Sequence, residues 1–355
     1  MTGISGFVGS GLAVKFLQNE NVQVISISNN EKDSERIKSI LESVLIGFNY
    51  DVNDIMQRFI HVYINDLGNK QELEQVFNKY RPQEVWHIAA NMSYDLGQFN
   101  KTIQFNVVDT GILYQIASNY CEKFFYISTI GVAGPGITNG YELAEDLILE
   151  FDSLNPYTIS KCFSEHLLYN ICDSYKSKLI ILRLSSVIGH SKTGWVNDTK
   201  FGYYSYLHIL KKYIKRDTTY YFNLNPDSKL PVIHIDHLVD VCNTLRFCNN
   251  LKSKQIFNLV NSNLLTVQRH FQIFTEESNS ILKICYGEGI EGSNIMFNKI
   301  NEHNNLFMST KNTFCTKQLE SLIGKEKSPP DLSNDSIKNV IRGYLYGRTV
   351  ENVLS

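Results

Sequence analysis

Tyr157 and Lys161 stand four residues apart in Asn155-Pro156-Tyr157-Thr158-Ile159-Ser160-Lys161. A helix beginning near Pro156 projects both from one face, one turn apart. A free phenol has a pKa of roughly 10, too high for ready proton exchange at neutral pH. A nearby ammonium favours the phenolate and is expected to lower that value. The pair is therefore a candidate acid/base unit, although any amphipathic helix can carry Tyr and Lys at this spacing. Ser128 and Thr129 stand at the end of the strand candidate Lys123–Ser128, and side chains alternate there, so only one of the two faces a cleft.

The chain opens with a second candidate site, Thr2-Gly3-x-x-Gly6-x-x-Gly9. Gly3 suits a tight turn, Gly6 close approach of a pyrophosphate, and Gly9 close packing of helix on strand. The helix that follows, with Val8, Leu12, Ala13, Phe16 and Leu17 on one side, offers free N–H groups and a favourable dipole to phosphates. Such a turn needs a strand before it, yet only Met1 precedes Thr2, so the first strand reads as truncated.

These residues need a scaffold, and the chain alternates to supply one. Strands are expected at Val22–Ile27, Phe59–Ile64, Glu84–Ala89, Lys123–Ser128 and Lys178–Leu184. Helices are expected at Lys70–Lys79, Lys101–Tyr120 and Tyr157–Tyr175. This alternation predicts an α/β fold, a doubly wound parallel sheet of the Rossmann type. Residues 1–190 form the expected dinucleotide-binding domain. Residues 191–355 form a smaller C-terminal substrate lobe, with about 230–262 returning to the first domain. The aromatics Trp195, Tyr203, Tyr204 and Tyr206 read as lobe core or, less often, as an acyl pocket.

Composition limits the alternatives. The 355 residues are 43% hydrophobic and 20% charged, sufficient for a real core. A net charge of −2 gives no basic signature for nucleic acid or an anionic membrane. Seven scattered cysteines, with no Cys-x-x-Cys and no zinc spacing, suggest free thiols in a reducing cytosol and no metal. No signal peptide or apolar run of membrane-spanning length is evident, so a cytoplasmic protein is expected.

Taken in order, the glycine turn, His87-Ile88-Ala89-Ala90, Asn106, Ile127-Ser128-Thr129 and Tyr157-x-x-x-Lys161 resemble the extended short-chain dehydrogenase/reductase family over about residues 1 to 260. Three pieces are similar to its thioester reductase branch, which includes carboxylic acid reductase terminal domains and fatty acyl-CoA reductases: Ser128 to Gly134, Asn155-Pro156-Tyr157 and Gly189 to Trp195. The resemblance assigns Thr129, Tyr157 and Lys161 to catalysis. It assigns Gly3, Ser5, Gly6, Phe7, Val8, Ser28, Asn29, Asp66, Leu67, Ala89, Ala90, Asn106, Tyr157, Lys161, Leu184 and Val187 to the dinucleotide, with Asp66-Leu67 at the adenine. It also implies a small-molecule substrate, an acyl thioester on CoA or a carrier protein, and a homodimer through helices of the first lobe. Two places depart from the branch: Arg183-Leu184 replaces Arg-Pro, and Ser28-Asn29-Asn30 replaces an arginine.

With no Asp or Glu ending the second strand before Glu31, and with Ser28, Asn29, Lys32 and Arg36 able to meet a 2′-phosphate, NADP is expected, with NAD the alternative. The leading expectation is reduction of a carbonyl, with Thr129 and Tyr157 at its oxygen. A second keeps the site but acts on a nucleotide sugar with NAD, by epimerisation or dehydration. A third is a dinucleotide-binding protein without catalysis.

Overall fold

The computed structural model describes residues 1–347 apart from 32, 52–54, 137–138, 150–154, 197–201, 214–218, 279–280, 286–298 and 300–301. Six strands share one all-parallel sheet: β1 (Val24–Ser28), β2 (Phe59–Tyr63), β3 (Glu84–His87), β4 (Lys123–Thr129), β6 (Lys178–Leu184) and β10 (Lys254–Leu259). The central strands β4 and β6 are buried on both faces, as sheets flanked by helices require. Trp86 stacks on Phe125 at 3.9 Å between ring centroids.

The place between β1 and β3 is taken by Met1 and Thr2. Thr2 bridges Ile27 on one side and His87 on the other. Thr2 N donates to the Trp86 carbonyl at 3.0 Å, and Ile27 N donates to the Met1 carbonyl at 2.8 Å. The strand that read as truncated is thus two residues wide at the end of the sheet that feeds the glycine turn. The order runs β2-β1-Thr2-β3-β4-β6-β10. Strand β3 stops at His87 rather than Ala89, because Ile88 N and Ala89 N turn to the Thr2 hydroxyl, each at 3.2 Å.

Helices cover both faces. On one side α1 (Phe7–Leu17) and α2 (Asp33–Phe48) share a core with α8 (Ile235–Arg246). On the other, α3 (Lys70–Tyr80), α5 (Thr110–Ala117) and α6 (Pro156–Ile171) pack around Leu113, Tyr114, Leu168 and Ile181. The helix expected from Lys101 divides into α4 (Phe99–Ile103), a π-helical turn (Gln104–Asp109) and α5. The inserted residue of such a turn commonly marks a functional position.

A second core lies beyond residue 187. Tyr203, Tyr204 and Tyr206 of α7 (Tyr203–Tyr213) pack there with Phe222, Phe271, Phe274, Ile341 and Tyr344. Trp195, 8% exposed, sits 5.6 Å from each of Phe7 and Phe48. These aromatics are core rather than pocket lining. Two-stranded pairs complete this part: β7 (Ser186–Ile188) with β9 (Val232–His234), and β8 (Thr219–Asn223) with β11 (Ile281–Cys285). A short parallel pair joins β5 (Glu142–Leu143) to β12 (Thr313–Phe314). The second lobe therefore reaches back to the segment between Thr129 and Tyr157. No helix among the described residues is long and apolar enough to cross a membrane.

Candidate dinucleotide and proton-transfer site

The glycine turn has the shape its spacing requires. Gly3 has φ +73°, and a Cβ there would lie 2.7 Å from Ala89 N. A Cβ on Gly9 would lie 2.1 Å from the Gly3 carbonyl oxygen. Gly6 caps α1 without any side-chain hydrogen bond, so the N–H groups of the first turn, at Phe7 and Val8, have no side-chain cap. A backbone cradle that a methyl group would fill, at an uncapped helix N-terminus, fits a dinucleotide pyrophosphate. Ser5 is half-buried in the same turn, and Ala89 borders it, with Ala90 next in the chain.

A neutral buried chain props this cradle from below. The Thr2 hydroxyl accepts from Ile88 N and Ala89 N, so its own proton goes to His87 Nδ1 at 2.8 Å. His87 Nε2 then carries a proton and donates to Thr110 Oγ1 at 2.8 Å. Burial, helped by the charge of Lys161, lowers the His87 pKa to about 3, so the ring stays neutral. His87 thus serves the structure, buried and bonded through both ring nitrogens.

The other predicted cofactor residues lie at the carboxyl ends of the strands, where open α/β sheets bind ligands. Ser28 and Asn29 end β1, Asp66 and Leu67 follow β2, and Leu184 ends β6, paired in register with Thr129. Val187 lies on β7. Leu67 is buried, and Asp66 accepts from Gly68 N at 2.9 Å. The Ser28 hydroxyl is engaged with the backbone of Asn30. Arg36, expected to add charge here, lies 3.6 Å from the Asp33 carboxylate, which Asn30 also binds. Lys32 lies outside the described residues. Asp33, buried just beyond β1, was not singled out from the sequence.

The residues expected to transfer protons lie at the same ends of the strands. Asn155 caps α6 by accepting from Thr158 N at 2.9 Å, and Pro156 fills the first turn. Tyr157 is thereby fixed in the opening turn, with Lys161 one turn on. Thr129 ends β4, half-buried, and its Oγ1 accepts from Gly131 N at 3.0 Å. A Cβ on Gly131 would touch both Thr129 Oγ1 and Thr158 Cγ2 at 3.2 Å, so Thr129 lies against the start of α6. Ser128 turns away and donates to Glu165 at 2.5 Å.

The electrostatics differ from the expectation. Lys161 Nζ, buried, donates to the Ile127 carbonyl at 2.7 Å and lies 4.5 Å above the Tyr126 ring. Burial lowers its pKa to about 7 against the pull of Glu165. Burial, then the neighbouring Tyr94, pushes the Tyr157 phenol well above the ordinary tyrosine value. Desolvation thus outweighs any charge from Lys161, and Tyr157 stands as a neutral phenol, able to donate.

Asn106 does not face the strand ends directly. From the π-helical turn its Oδ1 accepts from Asn91 N at 2.7 Å, and its Nδ2 donates to Asn91 O and Ser160 Oγ. It fixes the loop after β3 against α6. Sequence reading missed Tyr94 on that loop, 6.4 Å from the Tyr157 ring. It also missed the buried pair under Lys161, where Arg183 Nε and one terminal nitrogen fork the Glu165 carboxylate at 2.6–3.1 Å. Glu165 at four residues past Lys161 was the available signal.

A glycine-cradled helix N-terminus and a Tyr/Lys pair meeting at the ends of parallel strands define a dinucleotide-binding fold of the Rossmann type. The chain belongs to the NAD dependent epimerase/dehydratase family, whose pattern matches residues 1–259, within the extended short-chain dehydrogenase/reductases. It is 27% identical over 203 residues to a dTDP-D-glucose 4,6-dehydratase of Dictyostelium discoideum, covering 53% of this chain and 43% of that protein. It is 28% identical over 188 residues to a UDP-glucose 4-epimerase of Mycoplasma genitalium, covering 52% of this chain and 51% of the relative. The chain thus spans about half the length of these relatives. Among solved structures, a UDP-glucuronic acid 4-epimerase of Bacillus cereus, in complex with NAD, superposes with TM-score 0.69 at 18% identity, over 96% of this chain and 95% of that one. The terminal R domain of the myxalamid PKS-NRPS pathway superposes with TM-score 0.76 at 17% identity, over 98% and 90%.

Proposed function

We propose that the chain catalyses hydride exchange between a nicotinamide dinucleotide and the carbonyl or secondary-alcohol carbon of a small molecule. The carrying observation is the convergence of Thr129 and the opening turn of α6 at the strand ends that border the glycine cradle. The bound dinucleotide supplies or takes up the hydride. Gly3, Gly6 and the N–H groups of Phe7 and Val8 hold its phosphates. Tyr157 moves the proton at the substrate oxygen, and Thr129 orients that oxygen with a second hydrogen bond. Lys161 stabilises negative charge as it develops on the phenol.

The relatives favour a nucleotide-sugar substrate and NAD, with epimerisation or dehydration as the reaction. The pairing of Arg36 with Asp33 also favours NAD, because it draws that cation from a 2′-phosphate. Dehydration fits less well. Elimination of water needs a further acid or base beside Thr129, where Ile130 and Gly131 stand, and Glu165 is held by Arg183 and Ser128. Acyl-thioester reduction is the second reading. The neutral phenol of Tyr157 suits a donor to a carbonyl, and the myxalamid R domain shares the fold over nearly the whole chain.

The deciding experiment offers the purified protein UDP-glucose or dTDP-glucose with NAD, and separately an acyl-CoA with NADPH. Interconversion of the sugar without net cofactor consumption supports epimerisation. Steady NADPH oxidation by the thioester alone transfers the assignment to reduction. Tyr157→Phe is expected to lose about 10²–10⁴ in turnover while still binding dinucleotide. Full turnover in that variant removes the proposed role.

A further inference from the structure

The segment between Thr129 and Tyr157 is stitched to a stretch of chain far away in sequence. Residues 309–323 run along it as a strap. Thr313 N donates to the Tyr141 carbonyl and Cys315 N to the Leu143 carbonyl, each at 3.0 Å. Glu145, 4% exposed, accepts from Gln318 N at 2.6 Å and Leu319 N at 3.3 Å, where the helix Lys317–Ile323 begins. Opposite the strap, Arg183 donates to the carbonyls of Ala144 and Asp146 while it grips Glu165 on α6.

Asn312, within the strap, is 5% exposed. Its Oδ1 accepts from Tyr141 N at 3.2 Å and its Nδ2 donates to the Gly134 carbonyl at 3.1 Å. Lys311 N adds a bond to the Gly136 carbonyl at 3.2 Å. Glycine makes room for the strap: a Cβ on Gly136 would lie 2.0 Å from Asn312 Oδ1, and one on Gly140 would lie 2.2 Å from the Lys311 carbonyl oxygen. The bonds continue toward the site. Tyr141 OH donates to the Ala133 carbonyl at 2.8 Å, and Ala133 ends the tight turn that Thr129 Oγ1 caps. A connected path therefore runs from Asn312 through Tyr141 and the turn 130–133 to the Thr129 hydroxyl.

We propose that Asn312 is a positioning residue for the Thr129 hydroxyl, which makes the strap a working part of the site. The inference rests on the reading that Thr129 and Tyr157 act together on the substrate oxygen. An amide suits the position, because it must offer one acceptor and one donor to two main-chain groups of opposite polarity. Aspartate keeps the acceptor for Tyr141 N and sets a second oxygen against the Gly134 carbonyl. Alanine leaves both groups without it.

The test is a double-mutant cycle on the full chain, reading NAD(P)-linked turnover of UDP-glucose or an acyl-CoA, whichever the protein accepts. Asn312→Ala is expected to lower kcat about tenfold while the dissociation constant for the dinucleotide alone stays unchanged. Added to Thr129→Val, it is expected to cost nothing further. Asn312→Asp, which sets a buried carboxylate against the Gly134 carbonyl, is expected to fall at least as far. Hydrogen exchange in Asn312→Ala should quicken at residues 130–134 and not at the glycine turn. Full kcat in Asn312→Ala, or a loss that multiplies that of Thr129→Val, overturns the role of Asn312 and leaves the site reading intact. Undiminished turnover in Thr129→Val alone overturns the site reading, and the inference with it.

Discussion

Two buried polar clusters support the two halves of the site, and they are built from different materials. Under the glycine turn, Thr2, His87 and Thr110 form a neutral chain in which each proton has one place to go. Under Lys161, Ser128, Glu165 and Arg183 form a charged cluster, with Arg183 wholly buried. The cradle has to present backbone N–H groups at fixed positions, which short neutral hydroxyls achieve without desolvating a charge. The Lys161 end holds a buried ammonium, and a carboxylate one turn away offsets part of its desolvation. Arg183 then neutralises that carboxylate and, with its remaining donors, ties down the loop at 144–146.

The charged cluster should be the easier one to break. Arg183→Met leaves Glu165 buried without its partner and is expected to cost about 3–5 kcal/mol in denaturant unfolding. Adding Glu165→Leu should recover most of that loss, and a double variant as unstable as the single would sink the comparison. In the neutral chain, Thr2→Val removes one hydroxyl from Ile88 N, Ala89 N and His87, for an expected cost of about 1–3 kcal/mol. Dinucleotide affinity should weaken with it. Unchanged affinity would mean that the Thr2 hydroxyl does not set the cradle.

The third effect is a slope with pH. His87 titrates at about 3 in the folded chain, below its value near 6.5 when unfolded. A depressed folded pKa contributes stability that is present above pH 6.5 and is lost as pH falls toward 3. The slope is about 1.4 kcal/mol per pH unit for this group. His234 and His270, lowered by burial to about 4 and about 3, add in the same direction. The measurement is therefore the difference between the chain and His87→Gln. Equal slopes between pH 6.5 and 4 would show that His87 is not held neutral.

The five strands expected before residue 190 were legible to within two residues, because β-branched and aromatic runs bounded by polar stretches are local signals, whereas β10 of the same sheet was not singled out. Pro156 after a capping Asn155 likewise announces the helix that carries Tyr157. Glu142–Leu143 pairing with Thr313–Phe314 leaves no such trace, since neither piece has a periodicity of its own. The sign of the Tyr157 shift was also out of reach. It depends on how deeply Tyr157 and Tyr94 are desolvated and on Lys161 reaching Ile127, which are properties of packing. The pairing of Met1 and Thr2 between β1 and β3 was likewise not visible, because it depends on contacts distant in sequence.

The π-helical turn at Gln104–Asp109 sets two helical phases against each other. Each residue of an α-helix advances by about 100°, so one extra residue rotates everything beyond it by that angle. Upstream the helix follows one phase and downstream another, and Asn106 stands at the join, facing inward. Deleting one residue between 104 and 109 would straighten the helix and swing its amide away from Asn91 and Ser160. A single-codon deletion on the far side of α6 would thereby unlock the loop that carries Tyr94.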